Sequence, residues 1–283
     1  MLSAYTLKKR RLAIVLLDIV GSTAFVQKVG AVNAARVLQL HDRLARSACY
    51  RHNGREIDRS DGFLMSFDNV QDAILFALDY GKKVTPRVKL KSRIGIHWGM
   101  LVEVEQNEVF VSAGAKRVEL EGIAKNIAAR TMSLAEPEQI LLTSDAYSAL
   151  RSSVKLRLPK DVRAVCVGFY RFKGVAHAQQ IYAVSDRYEL LQPPKGNEKV
   201  TRLGGPSYIK KLKRDRVLKD YLYSIWRLLR IAGTIYALFI LYLLLGSRDM
   251  LVFLGLYEWL WWSPYVITYL EKMLDLFTRA LLS

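Results

Sequence analysis

The sequence predicts an α+β fold, and three observations carry that prediction. Short apolar runs bounded by turn residues are mixed with stretches of helical periodicity, in irregular order and not as a repeating βαβ unit. One run, Leu12–Leu17, stops at a lone acid, Asp18, and turns through Gly21 into Ser22 and Thr23. Another stretch, Gly54–Phe67, folds back at Asp61-Gly62, a strong hairpin signal. Composition adds a second part. A hydrophobic content of 51% beside a net charge of +17 fits a globular domain joined to a membrane segment with basic flanks.

Taken in order, Met1–Arg11 reads as a solvated basic tail ending in Lys8-Lys9-Arg10-Arg11, without the cleavage site of a signal peptide. Leu12–Leu17 is a buried strand, and the Gly-Ser-Thr turn after it starts a helix. Ser22–Tyr50 reads as two helices broken near Gly30, with Ala34, Val37, Leu38, Leu44 and Ala45 at roughly helical spacing. Asn69–Lys83 is a further amphipathic helix stopped by Pro86. Ser92–Gly99 is an apolar strand with Arg93 at its start. Met100–Val111 reads as strand, Asn107 turn and strand, and Glu119–Leu134 as a helix. On that helix Asn126 and Arg130 stand four apart and share a face. Ile140–Leu142 is strand-like, a capped helix follows from Thr143 or Ser144, and two or three strands end at Val184. Cys49 and Cys166 have neither disulfide nor metal-ligand spacing, which points to a reducing, cytosolic face. His41 and His52 have no partner ligand at metal-binding spacing.

The turn after Asp18 combines helix-start N–H groups, which attract phosphate oxygens, with a carboxylate able to hold Mg²⁺. Taken alone, a strand ending in a capped turn with a solvated acid is the commoner case. Asp61 at a hairpin tip is a second lone acid of the same kind.

Five segments, in order, resemble the catalytic domain of class III nucleotidyl (adenylyl/guanylyl) cyclases of bacterial type. They are DIVGST (18–23), SDGF (60–63), RIGIHWG (93–99), GIAKNIAAR (122–130) and the closing hairpin GFYRFKGVAHAQQIYAV (168–184). The resemblance covers Leu12 to about Ser185. It implies a ferredoxin-like βαββαβ core with extra elements, and cyclisation of a nucleoside triphosphate with loss of pyrophosphate. Two Mg²⁺ or Mn²⁺ ions per site would be held by Asp18, the carbonyl of Ile19 and Asp61. Backbone N–H groups of Val20, Gly21, Ser22 and Thr23, with Arg93 and Lys173, would bind the triphosphate. Asn126 would orient the ribose and Arg130 would stabilise charge at the α-phosphate. The resemblance also implies a homodimer whose sites take the acids from one chain and the Asn/Arg pair from the other.

The base-reading positions depart from the adenine-specific pattern. A lysine is expected four residues before the second acid, and the position holds Ile57, or Asp58 if the strand is one residue shorter. Glu119 stands where aspartate or threonine is expected, and Ser60 replaces the usual glycine. ATP leads as the commonest substrate of the family, with CTP, UTP and GTP open. A catalytically degenerate nucleotide sensor on a membrane effector is the competing class.

The domain expected from this reading spans 1–186, with a basic juxtamembrane linker over 187–227. Residues 195–230 hold eleven Lys/Arg against three acids and run straight into apolar sequence. An anionic lipid surface is therefore favoured over nucleic acid. A two-helix transmembrane hairpin is expected over 228–270, from Ile231–Leu245 and Met250–Leu270, with Trp259, Trp261 and Trp262 at the interface. One span followed by an interfacial helix is the alternative. An amphipathic tail, 271–283, closes the chain. The basic flank places the catalytic domain on the cytoplasmic side of the cell membrane.

Overall fold

A computed structural model of the chain describes residues 6–60, 62–153, 158–205, 207, 218, 221–236 and 240. Asp61 and most of 228–270 lie outside the described residues, as does the whole 271–283 tail. The chain divides into two units, 1–210 and 211–283.

The first unit is mixed α+β. Its centre is β1 (Thr6–Ile19), which pairs antiparallel with β3 (Phe63–Phe67) on one side and β4 (Ser92–Glu105) on the other. Among the described residues the sheet has nine strands. The other six are ordered around these three: β2 (Arg55–Arg59) lies outside β3, then beyond β4 come β6 (Ile140–Thr143), β8 (Gln179–Ser185), β7 (Arg163–Phe172) and β9 (Val200–Gly204), with β5 (Val118–Glu121) also on β4. The β4–β6 pair is parallel and the other ladders are antiparallel.

β1 is apolar throughout Leu12–Leu17 because both its faces are covered. Ala13, Val15 and Leu17 face a core built with α2 (Ala31–Arg51) and α3 (Val70–Lys83). Leu12 and Ile14 face α6 (Ile123–Leu134) through Ala124 and Ala128. Before α2 stands α1 (Ser22–Val29), broken from it at Gly30 as expected. The Asn69 side chain caps α3 by accepting from the Asp72 amide. The short α4 (Thr85–Val88) holds Pro86, so α3 has already ended at Lys83. Thr143 caps α7 (Ser144–Ser152).

Four expectations are corrected. Lys8–Arg11 are strand, not a solvated tail: β4 runs on to Glu105, and Lys8 pairs with Glu105 while Arg10 reaches Asp68 and Glu103. Residues 108–111 are not a strand but part of a helical turn, α5 (Glu108–Ser112), because the Asn107 side chain accepts from the Val109 amide and caps it. The strand that returns along β4 is β5, which begins at Val118. Glu119 therefore sits on β5, not on the helix, which starts only after Gly122 at φ +137°. The stretch read as linker from 187 begins inside the sheet. It forms a 3₁₀ turn (Tyr188–Leu191) and then β9 on β7, while Gln139 donates to the carbonyls of Leu190 and Gln192.

In the second unit, residues 221–236 are helical. Among the described residues no helix is long and apolar enough to cross a membrane.

Candidate active site

The alternation along β1 decides where Asp18 stands. Leu12, Ile14 and Asp18 are in phase, so the carboxylate shares the α6 face. The register places Arg93 of β4 directly opposite it. Arg93 Nη2 lies 2.7 Å and Nε 3.0 Å from Asp18 Oδ2, so both donors converge on one oxygen. Beside them opens a cleft of ≈ 410 Å³ lined by Asp18, Asp58, Ser60, Gly62, Lys125 and Met132, among others. Gly62 is required there: a Cβ would stand 2.3 Å from the Leu17 carbonyl oxygen. The backbone next to Asp61 is thus packed on the end of β1 that carries Asp18.

Helix α6 reaches this face because β4 offers two glycines to it. A Cβ on Gly95 would lie 2.1 Å from the Met132 amide nitrogen, and one on Gly99 would lie 2.7 Å from the Ala124 Cβ. At about 100° per residue, Lys125 and Met132 fall on one line of the helix, and Asn126 and Arg130 fall about 100–140° round from it. Asn126 is exposed. Arg130 is half-buried, and its Nε is buried without a hydrogen-bond partner among the described residues. An unpartnered buried N–H costs about 1–3 kcal/mol. The acids' cleft and the Asn/Arg edge are two sides of one helix, not two walls of one pocket.

The other expected residues divide. The Val20 amide is already used, donating to the Lys91 carbonyl at 2.9 Å, so of the expected N–H donors it is the one the fold takes away. Gly21, in the left-handed region at φ +70°, is the N-cap of α1 and no side chain caps that helix. The amides of Ser22 and Thr23 lie in its first turn, where a helix supplies no acceptor. Ile19 ends β1 with its side chain in the α2/α3 core. A bulge between Glu56 and Asp58 sends the two residues expected at the base-reading position to different places. Ile57 packs on the apolar cluster under α6, and Asp58 lines the cleft. Glu119 is exposed on β5 and Lys173 is exposed after β7, its amide donating to the Lys199 carbonyl. Neither lines the cleft.

Two lysines were missed. Lys116 lies 2.6 Å from Asp58, and Lys125, which lines the cleft, lies 3.1 Å from Glu121. Burial alone would raise the Asp58 pKa, but Lys116, the Arg59 amide and the Ser60 hydroxyl outweigh it and hold the carboxyl below its usual range. Lys125 was legible as the residue before Asn126. Lys116 was not, since its partner is far away in sequence.

Comparison with known proteins now decides the family. The model for the adenylate and guanylate cyclase catalytic domain matches residues 5–186, well over half the chain. The chain belongs to this family. The fold agrees with solved cyclases. The adenylyl cyclase CyaB from P. aeruginosa matches at a TM-score of 0.54 and 18% identity, over 66% of this chain and 99% of that one. An adenylate cyclase from Trypanosoma brucei, described in its monomeric state, matches at 0.51 and 22%, over 69% and 94%. The guanylate cyclase domain of RhGC from Catenaria anguillulae, in complex with GTP, matches at 0.51 and 16%, over 64% and 99%. No curated protein is similar enough to match.

Cyclase domains of this family generally depend on a divalent metal, and the residues present fit one. Among the described residues no group of three or more acids, histidines or cysteines is gathered to cage an ion. Mg²⁺ does not need such a cage: it takes one or two carboxylates and completes its shell with water and substrate phosphates. Asp18 offers a hard oxygen to the cleft, and Ser60 and Gly62 line the same cleft, with Gly62 packed on the Leu17 carbonyl.

Proposed function

We propose that this cyclase domain converts a nucleoside triphosphate, ATP first among them, to its 3′,5′-cyclic nucleotide and pyrophosphate, at two equivalent sites shared by a homodimer. The observation that carries the proposal is the division of α6. Asp18 and its cleft lie on one side of the helix, and Asn126 with the unsatisfied Arg130 lies on the other. A second copy related by a two-fold axis brings the missing half to each cleft.

In the reaction the ribose 3′-oxygen bonds to the α-phosphorus, and the bond to the bridging β-phosphate oxygen breaks. The hydroxyl proton leaves to solvent, and pyrophosphate departs with the bonding pair. Asp18, the Ile19 carbonyl and Asp61 would hold two Mg²⁺ or Mn²⁺ ions, whose chemistry is to acidify the hydroxyl and neutralise the leaving group. Amides of Gly21, Ser22 and Thr23 receive phosphate oxygens at the start of α1. Arg93 exchanges part of its hold on Asp18 for the triphosphate, and Lys173 approaches the terminal phosphates. Asn126 orients the ribose, and Arg130 of the other copy meets the charge that builds on the α-phosphoryl oxygens.

A second reading concerns the base. Asp58 brings an acceptor to the cleft, and Lys116 brings a donor beside it. Acceptor plus donor suits adenine or cytosine, and the carboxylate alone suits guanine N–H groups. GTP is bound by the C. anguillulae domain of similar fold, so the fold itself does not choose. Beyond the domain, the helix over 221–236 exposes Leu222, Trp226, Leu228, Leu229 and Ile231, with Arg230 4.8 Å over the Trp226 ring. Apolar side chains interleaved with arginines support attachment of this segment to an anionic membrane, with the catalytic domain cytoplasmic.

The test is complementation. Asp18→Ala and Arg130→Ala are each inactive, and mixed in equal amounts they regain about a quarter of wild-type turnover. Half of randomly formed dimers are mixed, and each of those carries one intact site of two. No recovery where mixed dimers form removes the shared site. No cyclic product from any of the four nucleotides removes the enzyme and leaves the nucleotide-sensor reading.

A further inference from the structure

The sheet fixes the backbone of Arg93 on both sides. β1 and β4 pair on Asp18 and Arg93, and the next rung joins Ile19 to Ser92. On the other side of β4, the Ile94 amide donates to the Gln139 carbonyl at 3.0 Å, and the Ser92 carbonyl accepts from the Glu138 amide at 2.7 Å. The Ser92 hydroxyl lies 2.6 Å from the hydroxyl of buried Tyr80. Of Arg93, only the side chain is left to move. That side chain is 35% exposed and its Asp18 partner 20%, so a solute reaches the ion pair without the fold opening.

Two anionic groups compete for this guanidinium. The first is Asp18. Nε and Nη2 both end on Oδ2, so two charged donors are spent on one oxygen. The second is a phosphate group at the start of α1. The Val20 amide donates to the Lys91 carbonyl, two residues before Arg93. The strand carrying Arg93 is thereby tied to the turn that leads into the first turn of α1, which no side chain caps. A triphosphate seated there offers the guanidinium two parallel bonds to separate oxygens, the geometry its fork matches best.

A divalent ion makes the opposite demand on the pair. It needs the lone pairs of Asp18 that Arg93 already occupies, and it meets a positive charge beside them. We infer that Arg93 is a latch on Asp18: it holds the carboxylate against a divalent ion until a triphosphate draws the guanidinium away, so that metal and nucleotide load together. This rests on the cyclase reading above and adds to it how the site is filled. Coupling of this kind is reciprocal: the factor that triphosphate adds to metal affinity, metal adds to triphosphate affinity.

The experiment titrates Mn²⁺ into the full chain without nucleotide and reads the free ion by electron paramagnetic resonance. The Asp18→Asn chain measures ions bound elsewhere, which are subtracted. Arg93→Gln is expected to lower the half-saturating Mn²⁺ concentration about tenfold, a usual size for coupling between sites, although turnover falls. Arg93→Lys keeps the charge, loses the two-donor hold, and is expected to lower it about threefold. The reciprocal arm reads binding of inorganic triphosphate in EDTA by calorimetry. Asp18→Asn is expected to tighten that binding in the wild-type background and to gain less in the Arg93→Gln background. A Mn²⁺ midpoint in Arg93→Gln at or above that of wild type overturns the latch. So does a folded Arg93→Lys chain at the wild-type midpoint, because only charge is then at work, and this variant decides alone if Arg93→Gln does not fold. An equal triphosphate gain with and without Arg93 is plain charge repulsion and overturns it too. A wild-type chain that turns over no nucleotide and binds no Mn²⁺ beyond Asp18→Asn overturns the cyclase reading; one that does both, with unmoved variants, overturns only the latch.

Discussion

Replacing Gly95 by alanine tests whether the contact between β4 and α6 sets the site. The added Cβ would meet the Met132 amide nitrogen at 2.1 Å, the Met132 Cα at 2.6 Å and the Ala128 carbonyl oxygen at 2.8 Å. All three are helix backbone, so no side chain can swing aside. Ordinary contact begins near 3.4 Å, and α6 must retreat by about 1.3 Å, the difference between 3.4 and 2.1. Overpacking of a buried contact costs about 1–3 kcal/mol, and a rigid neighbour puts this case at the upper end. For a domain of this size about 3 kcal/mol lowers Tm by about 6–12 °C. The same retreat carries Asn126 and Arg130 with it, and a displacement near 1 Å costs about 100-fold in rate. Urea unfolding gives the first quantity and nucleotide turnover the second. An alanine variant within about 0.5 kcal/mol of wild type and equally active would refute the account of why α6 stands where it does.

Three further outcomes are expected. Burial pushes His97 down to about 4, against the pull of Asp145. Its folded value lies below the unfolded 6.5, so the unfolded chain binds more protons between the two, and stability falls as pH drops from about 6.5 to 4. The gap of about 2.5 at 1.36 kcal/mol each gives about 3 kcal/mol, and His97→Gln flattens the urea midpoint over that window. Asp58→Ala changes the order of kcat/KM among ATP, GTP, CTP and UTP by about tenfold while leaving the Mn²⁺ midpoint alone; an unchanged ratio removes Asp58 from base reading. The full chain, finally, sediments with anionic vesicles and resists high salt. Complete release by salt would reduce the attachment to surface charge.

What was legible in the sequence was local. Leu12–Leu17, the Gly30 break, the helix ending before Pro86 and the Asn126/Arg130 face each depend on residues within a turn or two, and each is present. What was missed depends on partners far along the chain. Lys8 and Arg10 look solvated until β4 extends to Glu105 and supplies Glu103 and Glu105 opposite them. Val109-Phe110-Val111 has strand composition, yet Asn107 caps it as a helical turn. Val118–Glu121 merges with the helical pattern after it, and only the backbone of Gly122 separates the two. At the site, Asp18 and its turn were legible. That Val20 spends its amide on Lys91, and that Lys116 reaches Asp58, depends on which segments the sheet brings side by side.

The place of β1 has a consequence for biogenesis. Of the nine strands of the sheet it is made before the other eight, yet its ladders are to Phe63–Phe67 and Ser92–Glu105. Until synthesis has passed Phe67 and then Glu105, its greasy middle lacks first one and then the other strand to zip against, and such sequence separations slow folding. A nascent chain in this condition invites chaperone capture or clumping. Delayed emergence of Glu105, by rare codons or a pause, should therefore lower the yield of soluble protein more than a delay placed after it.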